Sequence, residues 1–520
     1  GADQYEVENG DVIELVYVDG SGVTQPESDV ELNPDAEHPD LEAQWNGFAN
    51  GGSGSSLQGV ATATEGADLQ WQSSLLTDEE REAGASCASS DPLIIDGKLY
   101  VVSGSSVYDA ANNWAETKSL ARLQVIDPAT GKTERQVTLA RGMDSLCRMV
   151  YADGIIVVPL AGGYLQAVSA STLETIWVVD AIEGAQSVSS LTVSDGYVYV
   201  ATIDGMDASW MGTSGTVRRV NLHTGALAGS VASDSTGYYW TGGIVVDGYY
   251  LVGDDAGAVS AYGAELASGE PLARCELGAP VRSTLVESDG FIYAVTNDGV
   301  LHKLRFADGA LSEVGAGVKF AASSTSTPTI VAGKAYVGGA EADYTGVLAV
   351  IDLASMKLDV VIGSFSSATA DGKELPADVK SAPLVSVQDG GVYVYFTCNN
   401  LPGALYCYKQ GGAEATMLYL PESAAQNYSM SSAFAGSDGT LYFINDSGNL
   451  FALAPGTSLP AWGEEEGGQE GSGDNGESGD GGPSHEGEGS DPAVRPGDES
   501  SNKKGSGSSP LILTHGPSTQ

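Results

Sequence analysis

Apolar and polar residues alternate along most of this chain, and the alternation restarts at intervals. A short apolar strand meets a turn containing Gly, and an aromatic-bearing strand follows. The turns are Asp96-Gly97, Asp153-Gly154, Asp195-Gly196, Asp247-Gly248, Asp289-Gly290, Ala332-Gly333, Asp389-Gly390 and Asp438-Gly439, spaced by 57, 42, 52, 42, 43, 57 and 49 residues. Asp-Gly between alternating runs predicts a two-residue hairpin, because a primed turn needs the positive φ these residues tolerate. The strands after the turn include Leu99-Tyr100-Val101-Val102, Tyr197-Val198-Tyr199-Val200, Phe291-Ile292-Tyr293-Ala294-Val295 and Leu441-Tyr442-Phe443-Ile444. A third strand (123–127, 347–352), a second turn (128–132, 222–225) and a fourth strand complete the unit. Four antiparallel strands recurring at this spacing predict an all-β, eight-bladed β-propeller. The eighth unit stops at Leu453 without a fourth strand. An unclosed ring leaves an open edge. The alternating run 69–75 is therefore expected to supply the missing strand.

These repeats resemble those of the pyrroloquinoline-quinone-like (quinoprotein-type) β-propeller family. Asp127-Pro128-Ala129-Thr130-Gly131-Lys132 fits the family's Asp-x-x-Thr-Gly-Lys, and the stretch from Trp45-Asn46-Gly47-Phe48 to Leu69-Gln70-Trp71-Gln72 resembles its lead-in. The likeness covers about residues 45–456. It implies the fold and raises quinone-dependent oxidoreductase chemistry. The chain departs from that chemistry in three ways. The adjacent Cys pair of the alcohol dehydrogenases is missing. The Trp that follows Thr-Gly-Lys is kept only near Trp177. No calcium-and-base set can be assembled.

The expected organisation is an N-terminal strand-containing segment (1–44), the propeller (45–460, closing strand about 69–75) and a Gly/Ser/Glu/Asp-rich disordered tail (461–520). The tail cannot bury enough apolar surface to offset its ordering entropy, and it suits a stalk. The run Val12-Ile13-Glu14-Leu15-Val16-Tyr17-Val18 reads as a strand. It resembles the closing strand of a small β-grasp-like surface domain, and otherwise would lie on the side of the propeller.

Charge narrows the function. The net charge is −46, with 13 acids and no bases in residues 1–44, 44 acids and 20 bases in 45–462, and 12 acids and 3 bases in 463–520. Every segment is acidic, which excludes a basic nucleic-acid stripe and disfavours anionic membranes. No apolar run approaches bilayer length. Five Cys are present. Cys398 and Cys407 flank a hairpin tip and are expected to form a disulfide, with Cys87–Cys147 the weaker second pair and Cys275 free. Disulfides would place the chain outside the cytoplasm.

Candidate chemistry collects on one face. In a propeller the loops between strands two and three emerge beside the links between blades, and here those loops are long. They carry Tyr108, Trp114, Trp210, Tyr238, Tyr239, Trp240, Tyr344 and Tyr428, with Asp109, Glu116, Asp204, Asp207, Glu341 and Asp343. Rings beside carboxylates suit a glycan or peptide. The five His are scattered, with His38, His485 and His515 expected in flexible segments. His302 falls on a strand and His223 on a turn. No zinc pair, hydrolase elbow or phosphate loop occurs. The Asp-rich turns near Asp254 and Asp298 lack the alternating ligand spacing of a calcium loop and read as turn chemistry.

The sequence therefore predicts a non-catalytic binding or adhesion module, monomeric and without cofactor or metal, on a bacterial surface. Its expected ligand is an extracellular glycan or protein. The alternatives are a quinone-dependent oxidoreductase and an envelope protein-assembly scaffold.

Overall fold

The computed structural model describes residues 30–49, 56–109, 115–143, 146–179, 189–363, 378–388 and 390–456. The strand expected at 12–18, the tail 461–520 and Trp114 lie outside them. Six of the eight turns have positive φ at both positions, including Asp96-Gly97 (48° and 66°) and Ala332-Gly333 (50° and 74°). This is the primed geometry that matches strand twist. Each turn joins an inner strand to the second strand of a blade. The inner strands are Leu93–Ile95, Val150–Ala152, Thr192–Ser194, Ile244–Val246, Val286–Ser288, Thr329–Val331, Leu384–Gln388 and Phe434–Ala435. Three further antiparallel strands follow in seven blades. In blade eight two follow, and Leu69–Ser74 pairs with Asn449–Leu453 as the outer strand. Both ends of the propeller thus meet in one sheet, as the alternation of that run predicts.

The second strand of most blades places an aromatic ring between blades. Tyr100, Tyr199, Tyr250, Tyr336, Tyr395 and Tyr442 are all buried. Tyr199 of blade three stacks on Tyr250 of blade four, centroids 4.7 Å apart. Each such burial stabilises the ring by roughly 2–3 kcal/mol. The aromatic positions noted in the sequence are therefore the seams between blades.

Residues 30–67 do something the sequence does not announce. Asn33 donates its N–H to the Thr175 carbonyl at the outer edge of blade two, and the Ser169 hydroxyl donates to the Glu37 carbonyl. The chain then enters the central channel. Ala43–Trp45 pairs antiparallel with the inner strand of blade one, and Ser56–Gln58 pairs parallel with that of blade seven. Each inner strand has its other edge taken by its own second strand, so both added strands lie on the channel side. Trp45, buried, donates from Nε1 to the Ala435 carbonyl of blade eight at 2.7 Å. The lead-in thus adds strands to the channel side of blades one and seven. His38, expected in a flexible stretch, is fixed beside blade two, its Nδ1 3.1 Å from the Asp153 carbonyl.

The cysteine expectation is corrected. The hairpin exists, but Thr397 faces Leu405 and Tyr395 faces Cys407. Cys398 lies one residue beyond Thr397, so the two thiols fall on opposite faces of the sheet. Cys398 packs with Val331, Tyr336 and Val379, whereas Cys407 packs with Leu384, Leu441 and Phe443. They are not joined. Burial pushes the Cys407 thiol up to about 12 and also raises the Cys398 thiol well above its ordinary value. Cys275 is half-buried and unpaired. The side chain of Cys147 lies outside the described residues, so the second expected pair is untouched by this correction.

Candidate functional site

Chain direction defines two faces. The inner strand runs from the link that precedes it to the Gly turn, so links and strand two–three loops share one face, here called the link face. The Gly turns occupy the other.

On the link face the second residue before each inner strand forms a ring around the channel mouth: Asp91, Arg148, Ser190, Gly242, Thr284, Thr327, Ala382 and Ser432. Its members bond to one another. The Ser190 and Thr284 hydroxyls are 2.7 Å apart, Thr284 N–H donates to Thr327 Oγ1, Ala382 N–H to Ser432 Oγ, and Ser432 N–H to Asp91 Oδ1. Asp91 and Arg148 form the charged step, 3.7 Å apart and both buried. Burial pushes the Asp91 carboxyl up against the pull of Arg148, and pushes Arg148 down to about 10. The guanidinium lies 3.8 Å over Phe48, which arrives with the channel segment, and 5.9 Å from the Trp240 ring.

Beside this ring lies a cavity of about 210 Å³, lined by Tyr239, Trp240, Arg282, Asn297, Ser323, Ser324, Thr325, Asp378 and Lys380. These come from the link before blade four, the link before blade five, the strand two–three turn of blade five, and the links before blades six and seven. Arg282 is fixed by Asp255, Nε to Oδ1 at 2.9 Å, and also donates to the Trp210 carbonyl. Asp255 in turn accepts from Gly212 N–H at 2.7 Å. Burial raises the Asp255 carboxyl and Arg282 opposes it. Lys380 Nζ is 3.5 Å from Asp378 and 5.4 Å from the Trp240 ring. The Trp240 Nε1 and Thr325 Oγ1 atoms are buried without a partner. A wall of hydroxyls and an amide, two balanced cations and two rings can hold a polar molecule with an apolar face.

The expected site residues divide. Tyr239 and Trp240 line the cavity. Trp210 is held against it through Arg282 and is 45 % exposed, and Tyr344 is 76 % exposed. Asp207 accepts from the N–H groups of Ser209 and Met211, and Asp343 from that of Thr345. Glu341 is exposed at the base of the Tyr344 turn, with its N–H on the Thr345 carbonyl. Tyr238 is a correction. It is 2 % exposed and packs inward with Tyr199 and Tyr250, whereas the chain bends at Tyr239 and Trp240, with a φ of 61° at Trp240, and turns those two rings to the cavity. Asp204 accepts from Thr202 and Thr216 and pins its own hairpin. Tyr428 is half-buried and does not line the cavity. Tyr108 and Asp109 end the strand Lys98–Asp109, and Glu116 lies on Ala115–Ile126, with side chains outside the described residues.

Sequence reasoning missed Arg282, Asn297, Ser323, Ser324, Thr325, Asp378 and Lys380. One signal was available: the third residue before the inner strand is Ser90, Ser189, Thr241, Ser283, Ser326, Ser381 and Ser431 in seven blades. That register marks seven of the eight links that reach the mouth; the link to blade two has Cys147 there.

The quinone-and-calcium group raised by the repeats does not fit these residues. Phe48 and Ala49 pack with Ala382 at the channel mouth. Among the described residues no three His, Cys, Asp or Glu side chains are grouped to hold a metal.

Residues 213–464 match a family model of pyrroloquinoline-quinone-type repeats described as outer membrane protein assembly factor BamB. The comparison with curated proteins found no match. Among solved structures, the quinohemoprotein alcohol dehydrogenase ADHIIG from Pseudomonas putida HK5 is similar at TM-score 0.55 and 11 % identity, covering 80 % of this chain and 81 % of that one. A europium-containing methanol dehydrogenase follows at TM-score 0.51 and 12 % identity, covering 72 % and 84 %. BamB from Moraxella catarrhalis gives TM-score 0.45 and 16 % identity, covering 66 % and 93 %. At these identities the likeness is one of fold.

Proposed function

Since the chain belongs to the pyrroloquinoline-quinone-like β-propeller family, a fold that carries unrelated functions on one scaffold, we propose that it is a non-catalytic binding module. Its ligand sits at the channel mouth on the link face. The observation that carries this reading is the convergence of Tyr239, Trp240, Arg282 and Lys380 from three links on one cavity. The chain has only 23 Lys and Arg against 69 Asp and Glu, so two cations at one cavity are a local departure from an acidic surface. Ligand pockets of this kind pair apolar walls with a few placed polar groups.

The acidic, Lys-poor composition supports a place outside the cytoplasm on a bacterial surface. The cysteines no longer add to that argument. No helix among the described residues is long and apolar enough to cross a membrane.

The test is retention of the purified chain on mucin, peptidoglycan and polysaccharides, beside Tyr239→Ala and Lys380→Ala variants whose melting is unchanged. Saturable retention by the parent and its loss in both variants is the expected result. Equal retention by parent and variants would move the ligand off this cavity. The second reading, a protein-assembly scaffold, draws on the description of the matching family model. It predicts one stoichiometric protein partner and no glycan retention.

A further inference from the structure

Five blades close their strand two–three loop in the same way. The first loop residue accepts, on its carbonyl, the N–H of the residue three further on. This holds for Asp207 and Trp210, Asp254 and Gly257, Thr296 and Gly299, Glu341 and Tyr344, and Asn445 and Gly448. The fourth position of this loop is left-handed in every case: φ is 61° at Trp210, 92° at Gly257, 76° at Gly299, 68° at Tyr344 and 77° at Gly448. Glycine is the residue that geometry favours, and a bulky side chain there is strained. Three blades use it. Blades three and six use an aromatic residue instead.

Those two rings are also the ones left in solvent, Trp210 at 45 % and Tyr344 at 76 % exposure. Packing therefore does not explain them. Their loops flank the cavity. The Trp210 carbonyl accepts from Arg282 of its wall, and Ala340, at the base of the Tyr344 loop, pairs with Ser323 of its wall.

Building on the link-face reading, we propose that Trp210 and Tyr344 are stacking platforms for the sugar rings of a neutral polysaccharide that crosses the cavity from blade three to blade six. An exposed ring covers the apolar face of a pyranose. Exposed carboxylates stand beside each ring, Asp207 on one loop and Glu341 and Asp343 on the other. Between them, the cavity wall offers the hydroxyls of Ser323, Ser324 and Thr325 and the amide of Asn297. Such groups exchange hydrogen bonds with sugar hydroxyls. A net charge of −46 repels polyanions, which selects a neutral polymer over an acidic one. Rings isolated on loop tips, with polar neighbours, do not make the contiguous apolar centre of a protein interface.

The experiment is affinity electrophoresis of the full chain through gels containing a mixed-linkage β-glucan, a mannan or a starch, with polygalacturonate, chondroitin sulfate and mucin as comparison gels. The variants are Trp210→Gly, Tyr344→Gly and the double change, with Tyr239→Ala alongside. Glycine is the residue used at this position in blades four, five and eight, so melting temperature is expected to hold or rise. Retardation by a neutral polysaccharide, weakened at least tenfold in each single variant and abolished in the double, supports the proposal. Retardation kept in the double variant but lost in Tyr239→Ala overturns the platforms and leaves the cavity reading. Retardation by the acidic polymers or mucin alone overturns the neutral-polysaccharide assignment and leaves the binding module. Retardation by none overturns the proposal, and capture of a single protein partner by the same chain would then favour the scaffold. A fall in melting temperature in the Gly variants would overturn the argument that the rings are not structural.

Discussion

Trp71 lies on Gly131. The indole belongs to the outer strand of blade eight, the glycine to the turn between strands three and four of blade one, and a Cβ on Gly131 would meet the Trp71 ring at 2.5 Å. Trp71 Nε1 also donates to the Pro128 carbonyl at 2.8 Å. Trp177 repeats the relation on Gly225, with Nε1 on the Leu222 carbonyl at 2.8 Å. A Trp docked on the Gly of a neighbouring blade thus occurs at two seams, one of them the seam that closes the ring.

Trp71→Ala is expected to cost about 2–4 kcal/mol, since Trp71 is only partly buried. Gly131→Ala is expected to cost at least about 1 kcal/mol, from its positive φ of 69° and the displaced ring. Calorimetric melting checks both. Retained melting in Trp71→Ala would mean that the seam is held elsewhere.

The charged step of the mouth predicts strong coupling. Arg148→Met should destabilise by about 3–5 kcal/mol, because it leaves the buried Asp91 without a counter-charge. Adding Asp91→Asn should restore most of that loss. Denaturant unfolding of the single and double variants measures it, and additive losses would show that the two groups are independent.

Glu80 sets an acid limb. It is the N3 residue of a short helix and closes a capping box with the N-cap Thr77. Burial opposes its ionisation, but Arg122, the Thr77 N–H and Ser105 outweigh burial and hold the carboxyl at about 2, below the ordinary 4.5. A depressed folded pKa gives stability that is present above the unfolded value and lost as pH falls through the folded one. Stability should therefore decline between about pH 5 and pH 2, and Glu80→Gln should flatten that part of the decline. A parallel decline in both proteins would contradict the assignment.

The thiols predict insensitivity at one hairpin. Peptide mapping of the unreduced protein should return Cys398 and Cys407 unlinked, each alkylated only after unfolding. A linked peptide would contradict the observed register.

The fold was legible because its signals are local and repeated. Each Asp-Gly turn and each Tyr in a second strand reports its own hairpin, and the alternation of residues 69–75 marks a strand whose partner is missing. The site was legible only in part. Tyr239 and Trp240 line the cavity while their neighbour Tyr238 faces the core, and composition cannot separate adjacent residues of one link that bends between them. Arg282, Asn297 and Lys380 come singly from distant links, and each reads alone as an ordinary surface residue. The channel segment was illegible for a similar reason: Ala43–Trp45 and Ser56–Gln58 are three-residue strands that pair only with blades one and seven.

The most direct test of the binding-site claim is hydrogen–deuterium exchange of the full chain with and without a neutral polysaccharide. The account predicts added protection in the links and loops at 207–212, 239–242, 282–284, 323–327 and 341–345, with the Gly turns of the opposite face unchanged. Protection confined to those Gly turns, or to the outer strands of the blades, would contradict it.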